Sequence, residues 1–242
     1  MVDDAASPAA SVKVAIRSIA RHDELAEVNA LFQQIWGTAE PVVQVDLLRA
    51  IAYTGGYVAG AYDGNHLVGA SFGFLADHRG ERALHSHVTG ILPGVQHAGV
   101  GRALKDHQRT WAAEQAIAWI TWTFDPLVRR NAWFNIEVLG AEIAEYVVDF
   151  YGPMNDAINT GSASDRLVAA WSTDPEHTRP VAAGGLVEIA TPDDIVVLRR
   201  TDPGRADAWR ERLRDELGGA LAAGGRVVGF TRGGAYLVEP GR

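Results

Sequence analysis

The stretch Pro93-Gly94-Val95-Gln96-His97-Ala98-Gly99-Val100-Gly101-Arg102 joins small residues to the start of a helical pattern. Ala98, Gly99 and Gly101 leave the backbone open to a ligand. The helix expected from about Arg102 to Gln115 aims its unpaired N–H groups and positive dipole end at the same place. That combination suits a phosphate or pyrophosphate, although Gly-x-Gly before a helix also serves as a plain tight turn. Spacing excludes two other phosphate loops. A Walker A loop ends in Gly-Lys-Ser/Thr, whereas Gly101 is followed by Arg102-Ala103. A dinucleotide fingerprint needs glycine where Leu104 stands, after the first strand of a parallel β-α-β unit. Arg102, Lys105 and Arg109 recur at i, i+3, i+7 as one basic stripe, either a solvated face or a grip on phosphates led by Arg102.

His85-Ser86-His87 is the second candidate group. On a strand, i, i+2 spacing puts both imidazoles on one face, and a histidine titrates close enough to neutrality to take a proton from a nucleophile. Plain strand histidines, or a metal pair lacking a third ligand, are the competing readings. Asp125 ends an apolar run and precedes Pro126, so it either positions a substrate group, acts as an alternative base, or starts a turn. Trp119, Trp122, Trp133 and Phe134 read as core rather than as an aromatic cage.

These residues need a scaffold. Lys13–Ile19 alternates like a first strand, and Asp23 is placed to cap a helix carrying Leu25, Val28, Leu31, Phe32 and Ile35, stopped by Gly37. A second helix fits Val42–Tyr53. Strands Tyr57–Tyr62 and Leu67–Leu75 flank the turn Asp63-Gly64-Asn65, and a polar turn Asp77–Glu81 leads into a third strand, Ala83–Leu92. After the loop and its helix come a buried strand Ala116–Phe124, a short helix Asn131–Leu139 ended by Gly140, and strands Glu142–Val148 and Leu167–Trp171. The order β-α-α-β-β-β-α-β-α-β-β predicts an α/β fold with a mixed sheet. Pro180 and Ala182–Gly185 read as a linker to a β-α-β-β appendage: strand Leu186–Ile189, a helix through Trp209, Leu213, Leu217 and Leu221, and a hairpin of Arg226–Thr231 with Ala235–Glu239.

Composition narrows the function. The 242 residues include no cysteine, which excludes disulfides, thiolate metal sites and a cysteine nucleophile. Hydrophobic residues make up 47% and charged residues 21%, enough apolar material for a packed core. A net charge of −8 gives no electrostatic footprint for nucleic acid. No apolar run reaches the roughly 18 residues of a membrane span, and the acidic start lacks a secretory pattern, so a cytoplasmic protein is expected.

Gln96-x-x-Gly99-x-Gly101, set between the fourth strand and third helix of this order, resembles the GNAT superfamily of N-acyltransferases over about residues 13–175. Ile120–Pro126, Arg130-Asn131-Ala132 and Leu139-Gly140 look like a poorly characterised bacterial branch. The resemblance implies an acyl-CoA donor, with acetyl-CoA the first choice. Its pantetheine arm would pair with a bulged strand end at Thr89, Gly90 and Ile91, and its pyrophosphate would sit on the amides of His97, Ala98, Gly99, Val100, Gly101 and Arg102. Asn131 matches the family's asparagine near the pantetheine. His85-x-His87 is similar to the His-x-His of serotonin N-acetyltransferase, with His87 nearer the donor end. Many relatives protonate the leaving thiolate with a tyrosine four residues before the glycine closing the fourth helix; here that position is Ile136. Asn135 is then expected to steady the sulfur, with water or Tyr151 supplying the proton.

The expected protein is therefore an N-acetyltransferase acting on a primary amine of a small molecule or peptide by direct attack, without metal, nucleic acid or membrane, as a monomer or homodimer. A succinyl or other acyl transferase for amino acids, and a noncatalytic acyl-CoA-binding module, are the alternatives. Residues 1–12 are expected to be a disordered tail, 13–178 the acyltransferase domain and 179–242 an appendage packed on it.

Overall fold

The computed structural model describes residues 14–95, 99–152 and 163–241. The expected tail and the loop positions Gln96, His97 and Ala98 lie outside the described residues. The chain forms two compact units: residues up to Ala76 with Leu84–Gln115, and Asp77–Ala83 with the chain from Ala116 onward. The expected boundary at 178–179 falls inside the second unit.

The first unit holds β1 (Ala15–Ser18), α1 (His22–Trp36), α2 (Val45–Tyr53), β2 (Tyr57–Asp63), most of β3 (His66–His78) and β4 (Glu81–Ile91), and α3 (Val100–Glu114). Its strands run in the order β1-β2-β3-β4, with β1–β2 and β2–β3 antiparallel. Asp63 pairs with His66 across Gly64, whose φ of +57° fits the tight turn read from Asp63-Gly64. Asp23 does not cap α1: the cap position is Arg21, and Asp23 lies in the first turn, bound to the Arg21 guanidinium. There its charge still complements the positive end of the helix. Leu25, Val28, Leu31 and Phe32 of α1 and Leu48 of α2 pack with Val58, Ala70 and Phe72. A separate cluster joins Val100 and Leu104 of α3 to Ala61 and Val68.

In the second unit, β5 (Trp119–Phe124), β6 (Glu142–Val147) and β7 (Arg166–Ser172) run in the order β5-β7-β6, antiparallel. Between β5 and β6, α4 (Arg129–Trp133) continues as a π-helical turn, Phe134–Val138, and Gly140 at φ +74° closes it. The C-terminal part is a three-stranded antiparallel sheet, β8 (Val187–Ala190), β10 (Ala235–Glu239) and β9 (Arg226–Phe230), in that order. It also carries α5 (Ile195–Thr201), α6 (Pro203–Leu213) and, after a second π-helical turn, α7 (Gly219–Ala222). The single expected helix of this region is thus preceded by another. Asp194 caps α5 by accepting from Val196 and Val197 N–H, and Asp202-Pro203 starts α6.

Candidate active site

The α3 end carries the geometry expected of an anion cradle. Gly99 occupies the cap position in left-handed conformation, φ +80°, and, being glycine, brings no side chain to the helix end. The first intrahelical bond runs from Ala103 N–H to the Gly99 carbonyl, so the N–H groups ahead of it point out of the start of the helix. A Cβ on Gly101 would lie 3.0 Å from Ile91 Cδ1, so the missing side chain lets the helix end sit close to the end of β4.

On β4 the pleat breaks. Ser86 and Thr89 are three residues apart, so strict alternation would point them to opposite faces. Instead both join one buried network on the α3 side. Lys105 Nζ donates to Ser86 Oγ at 2.9 Å and to Gln108 Oε1 at 3.2 Å. Gln108 Nε2 reaches Ser71 Oγ at 3.5 Å, and Ser71 shares a 2.8 Å hydrogen bond with Thr89 Oγ1. The irregularity lies beside Gly90, whose missing Cβ serves packing: it would stand 2.9 Å from both Ile35 Cδ1 and Trp36 Cη2 of α1.

The basic stripe is divided by the fold. Arg102 is exposed, its Nε held by both Asp106 carboxylate oxygens at 2.9 Å, and Arg109 is half-buried. Lys105 instead points inward at 6% exposure, and burial lowers its pKa to about 7. It sits at the edge of the buried arc of Val100, Leu104, Gln108 and Ala112, and the neighbouring arginines made it read as surface.

The two histidines form an aromatic group with β3. Phe74 lies 5.2 Å from His85 and 5.6 Å from His87 between ring centroids, and Phe72 lies 5.5 Å from His87. His87 and Phe74 reach the surface, whereas Phe72 is buried. Burial, with smaller contributions from His87 and Lys105, brings His85 down to a pKa of about 4. Burial also lowers His87. Burial favours the neutral ring in both, and His87, the more accessible, is the better placed to take a proton.

The remaining candidates lie on the second unit. Asp125 is buried at the end of β5, where its Oδ1 accepts from Leu127 N–H at 3.0 Å. Arg210 binds both its oxygens at 3.0 Å, and Arg199 binds Oδ2. Burial alone would raise its pKa, but the two guanidiniums outweigh that and hold it at about 2. Such a carboxylate does not accept a proton at neutral pH. Arg210 escaped the sequence reading although it falls on the buried stripe of Ala206, Leu213 and Leu217, where a charge must have a partner.

Asn131 lies in the first turn of α4 rather than at its cap, which is Val128. Asn135 is buried in the π-helical turn, and its carbonyl accepts from Ala141 N–H at 2.9 Å. Tyr151 is exposed; its hydroxyl is 3.1 Å from Thr123 Oγ1 and the Arg166 guanidinium stands over its ring at 5.3 Å. Among the described residues no three His, Asp or Glu side chains are grouped to hold a metal ion, and no helix is long and apolar enough to cross a membrane.

No protein-family profile and no curated protein matches the chain. Solved structures do. Arabidopsis thaliana Naa50 in complex with the bisubstrate analogue CoA-Ac-MVNAL gives a TM-score of 0.51 at 20% identity, over 66% of this chain and 98% of that one. Salmonella typhimurium yncA with its cofactor acetyl-CoA gives 0.52 at 16% identity, over 70% and 99%. The acetyltransferase of GNAT family from Streptococcus pneumoniae gives 0.51 at 14% identity, over 66% and 99%. The fold is that of the GNAT acetyltransferases.

Proposed function

We propose that the chain is an N-acyltransferase that moves an acetyl group from acetyl-CoA to a primary amine of a small molecule or peptide. The observation that carries this reading is the α3 N-terminus that starts at left-handed Gly99, packed against the end of a strand whose pleat is broken and which bears two histidines whose burial favours the neutral ring. These residues fit an acyl-CoA. The amides of Gly99–Arg102 suit its pyrophosphate, and the backbone of Thr89–Ile91 suits its amide-bearing arm.

In the reaction the neutral amine attacks the thioester carbonyl. A C–N bond forms, the C–S bond breaks, and CoA leaves as thiolate while the amine gives up a proton. His87 takes that proton directly or through water. The family resemblance assigns Asn131 to donor binding and, with Ile136 at the usual tyrosine position, leaves Asn135 to donate a hydrogen bond to the departing sulfur. Asp125, tied to two arginines, maintains the β5–α4 turn rather than serving as a base.

The test is an amine panel supplied with acetyl-CoA or succinyl-CoA, following free thiol and N-acylated product. Acetyl transfer to at least one amine, lost in Gly101→Val, supports the reading. Preference for succinyl-CoA would move it to the alternative donor. Donor binding without transfer to any amine would leave a binding module.

A further inference from the structure

The network below β4 is an unusual use of a protein interior. Lys105, Gln108, Ser71 and Ser86 are all buried, and polar side chains that lose their hydration there are costly unless they hydrogen-bond to one another. An apolar side chain of similar length would fill the Lys105 position without that cost. Lys105 lies four residues beyond Gly101, one helical turn below the loop, and Thr89 opens the strand end. The network therefore runs from just beneath one surface suited to the donor to the start of the other. It also binds Ser86 and Thr89, the two residues that bracket the pleat break.

We propose that Lys105 is a positioning residue for acyl-CoA: through Ser86, Gln108, Ser71 and Thr89 it locks the break in β4 against the first turns of α3, so that both donor surfaces are presented together. This rests on the acyltransferase reading above. Among the described contacts the amine donates to the Ser86 hydroxyl and the Gln108 amide oxygen, and His85 on β4 feels its charge.

The experiment measures CoA affinity by calorimetry, together with amide hydrogen exchange, in wild type, Lys105→Met, Ser86→Ala and the double variant. Each single variant is expected to weaken CoA binding about tenfold, the size of one lost buried hydrogen bond. The double variant should be little worse than either single one, because both cut the same network. Exchange at residues 89–91 should quicken while that of α1 stays unchanged. If Lys105→Met does not fold, Ser86→Ala and Thr89→Val carry the same comparison. CoA affinity within twofold of wild type in the folded variants would overturn the proposal while leaving the acyltransferase reading intact. A wild-type protein that does not bind CoA would overturn both.

Discussion

His85 and His87 share a strand face, but their surroundings differ in a way that spacing alone does not reveal. His85 is the more buried and is held near pKa 4, too weak a base for the task, whereas His87 opens to solvent. His87→Ala should therefore lower kcat by about 10²-fold or more, within the usual range for a general base, with CoA affinity unchanged. Burial shifts His87 below the ordinary 6.5. The acid limb of the kcat/KM profile should then lie below pH 6.5 and vanish in the variant; a limb at or above 6.5 would point to another base. At the sulfur, Asn135→Ala should raise the barrier by about 1.5–3 kcal/mol, as for a hydrogen bond to a charged group. Tyr151→Phe, which removes an exposed hydroxyl bonded to Thr123, should cost less in the same assay. The reverse order would restore a tyrosine acid.

At the scale of elements, α3 does two jobs within about one turn: its N-terminus starts at Gly99, and Lys105 enters the core. Burial lowers that lysine from 10.5 to about 7. Between those values the unfolded chain binds more protons than the folded one, so stability rises with pH from about 7 to 10.5 and is lost as pH falls back to 7. Lys105→Met should flatten this slope in urea titrations at stepped pH; an unchanged slope would mean that the lysine stays charged in the fold. Gly99 is the other critical position, because φ +80° strains any residue with a side chain although space is open around it. Gly99→Ala should cost about 1–2 kcal/mol of stability.

At the scale of the whole molecule, the C-terminal part of the second unit is held by ion pairs in its interior. Asp125 receives Arg199 and Arg210, and Asp165 receives Arg214 at 2.8 Å and the Tyr146 hydroxyl at 2.7 Å. Tyr236 closes the same region by donating to the Pro126 carbonyl at 2.6 Å. Removing one member leaves the others charged and buried, so Asp125→Asn should cost about 3–5 kcal/mol in equilibrium unfolding. Binding linkage acts on the other unit: millimolar CoA should raise the melting temperature of the wild type and not of Gly101→Val. A melting curve indifferent to CoA would remove the basis for the donor assignment.

Much of this was legible locally. Asp63-Gly64 specifies a turn through the conformations that glycine tolerates, and the apolar stripes of α1 and α6 specify which face is buried. Gly99-x-Gly101 ahead of a helical pattern specifies where α3 starts. Each signal is a property of a few neighbouring residues, so the sequence carries it without the fold. The interior pairings are of another kind. Asp125 read as a base or a turn because its partners, Arg199 and Arg210, stand 74 and 85 positions away in the chain. Lys105 read as one step of a basic stripe because only packing against β4 brings Ser86 to its amine. Whether an ionisable side chain is a solvated charge, a proton acceptor or a buried strut depends on the dielectric and the donors around it. Those are supplied by strands and helices distant in sequence, and only the tertiary structure decides them.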